Sequence, residues 1–176
     1  MYKNLGEIYE GLEKTREKLI ATIDALPPGS ENWRENGAGW SIKEIVEHVS
    51  MVEERMLKAI QKLLAEAQEK AVFSEVFPPV PADFFARLEA ARDRKLEAPE
   101  QLHPQGGQSL ADSLAKMKKN RAALAELQAD VEKIDASAPT LPHPALGDLN
   151  LYQWIIMIGL HERRHLMQIE RILHHN

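Results

Sequence analysis

Residues 151–173 read LYQWIIMIGLHERRHLMQIERIL. At about 100° per residue, Trp154, Ile158, His161, His165, Gln168 and Ile172 fall within about 40° of one line. That repeat belongs to an amphipathic helix, not a strand. Asn150 stands before it as a cap, and Pro139, Pro142 and Pro144 separate it from what precedes. Such a helix must bury its stripe, so the remaining chain must supply partners.

Three more helical patterns do so. The first runs from about Leu5 to Leu26, with Ile8, Leu12, Leu19, Ile20 and Ile23 in register, and Pro27, Pro28 and Gly29 stop it. The second opens on Ser41-Ile-Lys-Glu44, a capping box, and its stripe is Ile42, Ile45, Val49, Val52, Met56, Ile60 and Leu63, fading near Lys70. The third starts at Ser109, with Asp112 three residues on, and carries Leu110, Leu114, Met117, Leu124, Leu127 and Val131. Residues 71–108 are irregular and proline-rich, with a short helix expected at about 82–96. β-branched alternation never persists, and the one Asn-Gly, Asn36-Gly37, lies in a polar stretch, so no sheet is expected. The reading is all-α: a single domain over 1–176, a four-helix bundle whose long second-to-third connection carries a short extra helix.

Composition narrows the function. Hydrophobic residues at 44% supply an ordinary core, and 28% charged residues of mixed sign argue against disorder. A net charge of −5 argues against a nucleic-acid partner. No apolar run approaches the roughly 20 residues that span a bilayer, and MYKNLGEIYEGLEK has no signal core, so a cytoplasmic protein without membrane contact is expected. With no cysteine, thiolate metal sites and a cysteine nucleophile are excluded. Gly37-x-Gly39 lies outside any βαβ unit and is no nucleotide loop.

Seven histidines remain to be explained. His161 and His165 stand one turn apart, and imidazoles at i and i+4 can reach one metal ion. Histidine inside a buried stripe is costly unless its ring nitrogens find partners. His48, at the edge of the second stripe, is the other histidine in a helix interior and the best third ligand. His103 and His143 precede prolines in loops, and His174 and His175 suit a helix C-terminus. Glu162 stands as a candidate base on the stripe flank, and Glu44, one turn before His48, as a partner for its ring or simply as the cap. His161-Glu162-Arg163-Arg164-His165 matches the zinc protease motif H-E-x-x-H, but only 11 residues follow, and Gln168 and Arg171 stand where the extended motif needs Gly and His.

Gly39-Trp40-Ser41 with His48 two turns on, His143-Pro144-x-x-Gly147-x-Leu149, and His161-x-x-Arg164-His165-x-x-Gln168-Ile169 together resemble the DinB/YfiT-like metalloenzyme family, from about residue 38 to the end. The resemblance implies a four-helix bundle holding a divalent metal, often zinc or nickel, by histidines corresponding to His48, His161 and His165. It also implies a small-molecule substrate, and either a hydrolase or a transferase using a low-molecular-weight thiol such as bacillithiol or mycothiol as co-substrate. The competing reading is a stress-response or interaction bundle in which the histidines hold a structural metal or none. Ile156, Leu160 and Met167 give the last helix a second apolar face, which either the 71–108 segment or a second subunit must cover, and a homodimer is expected.

Overall fold

A computed structural model describes residues 2–70, 73–74, 76–92 and 98–175. Four long helices form the bundle expected from the stripes: α1 (Leu5–Asp24), α2 (Ile42–Glu69), α4 (Leu110–Glu126) and α6 (Leu151–His175). The caps act as the sequence implies. The Ser41 hydroxyl accepts from the Glu44 amide while the Glu44 carboxylate accepts from Ser41 N at 2.7 Å. Ser109 and Asp112 do the same for α4. Asn150 is reciprocal with Gln153, each side chain accepting the other's amide. The extra helix α3 is Ala82–Arg92; the expected continuation over 93–96 lies outside the described residues. The third stripe is broken at Leu127, leaving α5 (Gln128–Val131) as a separate turn.

The expectation of no sheet needs correction. Arg34–Glu35 (β1) pairs with Ala38–Ser41 (β2), and Thr140–His143 (β3) with Gly147–Asn150 (β4), as two antiparallel ribbons. Asn36 and Gly37 form the first turn, at φ 51° and 73°, the left-handed pair that a two-residue hairpin requires. The flanking residues carry no strand pattern, so the signal lay in the turn alone. In the second ribbon Pro142 faces Asp148, and in a two-stranded ribbon its missing amide breaks no continuing ladder. Each ribbon ends on the cap of a long helix, at Ser41 and Asn150.

α2 packs between α4 and α6, and α1 packs on α6. Gly159 sets the α1–α6 approach, since a Cβ there would lie 2.8 Å from Leu12 Cδ2. The second apolar face of α6 is largely filled within the chain: Ile156 is buried, Leu160 packs against the core, and Met167 is exposed. Among the described residues no helix is long and apolar enough to cross a membrane.

The core is in two parts. One contains Leu12, Met56, Leu124 and Ile158; the other Leu19, Val49, Met117 and Leu166. Between them lies a layer of four charges, one per long helix. Arg16 Nε donates to Glu162 Oε1 at 2.6 Å, and its Nη2 to Glu53 Oε1 at 2.8 Å. Arg121 Nη2 reaches Glu162 Oε2 at 3.0 Å and Glu53 Oε1 at 3.3 Å. All four residues are over nine-tenths buried. Burial pushes the Glu53 carboxyl above its ordinary range against the pull of both arginines. Its Oε2 has no hydrogen-bond partner among the described residues.

Buried charges attract strongly but are expensive to desolvate, so the layer contributes more to arrangement than to net stability. Removing one member leaves the rest uncompensated. Arg121→Met should therefore cost roughly 3–5 kcal/mol in urea unfolding. Replacing all four by apolar residues of similar volume should cost little or stabilise. A single variant as stable as the parent would show that the layer is not the buried, coupled unit described.

Candidate metal centre

His48 lies on α2 two turns after the Ser41 cap and is 3% exposed. His161 and His165 lie on α6, half-buried and buried respectively. The antiparallel run of these helices brings the three rings together. One ligand atom from each lies within 4.8 Å of the others. Ring centroids are 5.2 Å apart for His48 and His161, 4.9 Å for His48 and His165, and 4.5 Å for His161 and His165.

Hydrogen bonds orient two of the rings. His48 Nδ1 lies 2.7 Å from the Leu102 carbonyl oxygen, which can only accept, so Nδ1 carries the proton and Nε2 keeps its lone pair. Gln168 Oε1, 3.0 Å from His165 Nδ1, imposes the same tautomer on that ring. Burial pushes the His48 imidazole down despite the Leu102 bond. It pushes His161 well below 6.5, with His165 and His48 adding to the effect, and His165 to about 3, with His48 adding again. Neutral imidazoles are the form that binds metal.

The other candidates sit elsewhere. Glu44 is spent on the cap and on Arg34, at 2.8 Å. His143 packs at a tilt against Trp154, with ring centroids 5.4 Å apart, and accepts the Ala145 amide on Nδ1. His103 is exposed, edge-on to Trp40, whose ring lies 4.7 Å from that of His48. His174 and His175 are exposed beside each other at the end of α6. The reading of Glu162 as a base on the stripe flank is corrected: it is 1% exposed, and both its oxygens are held by Arg16 and Arg121. The buried face of α6, through Ile155, Ile158, Glu162, Leu166 and Ile169, centres near Glu162 and leaves the histidines at its edge. An edge position suits a site that must be reached from outside.

Sequence reading missed two contributors. The Leu102 carbonyl belongs to the irregular connection and is main chain, which no side-chain pattern reveals. The charged layer had a signal: Arg16, Glu53 and Arg121 each follow an apolar core residue by four positions and precede another by three.

The sequence pattern of the DinB superfamily matches residues 11–169. The chain belongs to the DinB superfamily. It is 32% identical over 149 residues to the uncharacterized protein YuaE of Bacillus subtilis (strain 168), covering 80% of this chain and 82% of that one. A solved structure described as TT2238, a four-helix bundle protein, superposes with a TM-score of 0.62 at 23% identity. That match covers 95% of this chain and 98% of the other, and it shows the shared fold.

The lowered histidines make a pH prediction for metal-free protein. Between the folded value of about 3 for His165 and its ordinary 6.5, the unfolded chain binds the proton and the folded chain does not. Stability is then complete above about pH 6.5 and is lost as pH falls toward 3. Thermal melts from pH 7 to 4 should show a falling midpoint, and His165→Gln should flatten that slope. A parent slope no steeper than the variant's would contradict a buried, neutral His165.

Proposed function

We propose that His48, His161 and His165 hold one divalent cation, zinc or nickel, and that the protein is a metal-dependent enzyme activating a small nucleophile: water in a hydrolase, or a low-molecular-weight thiol in a transferase. The observation that carries this reading is the donor set. Three imidazoles converge, neutral and without a carboxylate among them, and at least two have their Nε2 lone pairs freed by bonds at Nδ1. Three nitrogen ligands are the pattern of a catalytic site with an open position, whereas structural sites close with four.

Zinc or nickel at such a site supplies Lewis acidity, drawing water or a thiol toward its deprotonated form near neutral pH. The chain's own groups do the rest. The Leu102 carbonyl and Gln168 fix ring orientation, as partners behind metal-binding histidines commonly do. Trp40 covers one face of His48 and limits the approach of solvent there. His161 keeps part of its surface exposed where His48 and His165 are buried, which supports approach of a small-molecule substrate from that side. With no cysteine in the chain, a reacting thiol has to arrive as a co-substrate.

Calorimetric titration of metal-free protein should give one zinc or nickel per chain. His48→Ala should weaken it by at least tenfold, and His174→Ala should leave it unchanged. The two apolar clusters that pack the helices do not include the histidines, so chelation should lower stability only by the amount that bound ligand contributes by mass action. Parent-like affinity in His48→Ala defeats the three-histidine assignment. Unfolding on chelation would favour a structural metal.

A further inference from the structure

We propose that Glu47 is a positioning residue for the three-histidine site: its carboxylate clamps the 102–106 segment onto α2 so that the Leu102 carbonyl fixes the ring of His48. The proposal rests on reading that site as a metal centre, and it extends the site to a residue that does not touch it.

Glu47 directly precedes His48 and is 3% exposed. A carboxylate so buried needs hydrogen-bond donors. It finds them in consecutive main-chain amides: Gln105 N donates to Oε1 and Gly106 N to Oε2, each at 3.1 Å. Gly106 has φ 69°, a conformation that side chains disfavour, and this turn aims both amides into one concavity. Such a concavity ordinarily binds an external anion; here the protein's own carboxylate fills it.

The same segment meets α2 a second time three residues earlier, where the Leu102 carbonyl receives the His48 Nδ1 proton. The chain leading into Leu102 is stiffened by a turn of its own. Leu102 N donates to Pro99 O at 2.8 Å, and His103 N to Glu100 O at 3.0 Å. His103 Nε2 lies 2.8 Å from Ala98 O. Leu102 is therefore held by its own turn on one side and by the Glu47 clamp on the other. Without the clamp, the Leu102–His48 hydrogen bond would be the polar tie left between segment and helix, beside the packing of Leu102 on the core and of His103 on Trp40. His48 would then exchange between tautomers, and one of them withdraws the Nε2 lone pair from the site.

The test has two readouts on one pair of variants. Glu47→Gln keeps size but places an amide donor against one of the two main-chain amides. Gly106→Ala, at an exposed position, strains the turn, and its Cβ would meet α2 only at van der Waals distance, 4.0 Å from Glu44 Oε1. In metal-free parent protein, the ring nitrogen chemical shifts of His48 should report a single Nδ1–H tautomer. Glu47→Gln should give a mixture, and Gly106→Ala a smaller change in the same direction. Zinc affinity measured by calorimetry should fall roughly 10–100-fold in Glu47→Gln, the usual effect of losing support behind a ligand. A folded Glu47→Gln with the parent's His48 spectrum and zinc affinity overturns the clamp and leaves the metal reading standing. A tautomer change in both variants of a protein that binds no zinc upholds the clamp and defeats the metal reading.

Discussion

The layer of Arg16, Glu53, Arg121 and Glu162 governs how the four long helices stand relative to one another. Apolar cores tolerate extensive exchange of side chains when total volume and patterning are kept, so apolar contact alone specifies an arrangement weakly. Two guanidinium groups and two carboxylates specify one more narrowly. Each charge has partners on other helices, at distances down to 2.6 Å, inside a medium where an unpaired ion is costly. Shifting α6 by one turn would strand Glu162 in the apolar core and leave both arginines short of an acceptor. The layer thus specifies one register among several that the stripes alone would allow.

That register places the histidines. His161 directly precedes Glu162, and His48 lies five residues before Glu53, so both histidine-bearing helices carry a member of the layer close to the cluster. α6 is turned so that Glu162 faces the centre of the bundle, and the histidine pair then falls at the edge of the buried face. There it meets the edge of α2 at His48 and, through Leu102, the long connection. The irregular segment is not filler between the second and third long helices. It supplies the acceptor that sets the tautomer of His48.

The helices were legible because each rule involved is local. A capping box spans four residues, a stripe repeats every turn, and proline breaks both. The convergence of His48 with His161 and His165 was legible from helix faces and from the family resemblance. Other features depend on contacts distant in sequence. Arg16 pairs with Glu162 across 146 positions, and Glu53 alone reads as one more surface carboxylate. Its place between Val49 and Met56 was the available sign that it faces inward. The two ribbons escaped because Arg34-Glu35 and Ala38-Gly39 have no strand character, and Asn36-Gly37 was judged by its polar neighbours. Glu162 escapes the sequence pattern because the stripe centred on the histidines lies about 80° from the true axis of burial, less than one residue's turn.

The chain is a DinB superfamily member built as a four-helix bundle with three neutral imidazoles meeting at the edge of its core, and the reading proposed here makes that meeting point an open site for one divalent ion. X-ray absorption at the zinc edge, on protein carrying one equivalent of zinc, tests this most directly. The account predicts three imidazole nitrogens at about 2.0–2.1 Å and a remaining coordination position filled by a light atom from solvent. A shell with fewer than two imidazoles, or one made chiefly of carboxylate oxygens, would contradict it.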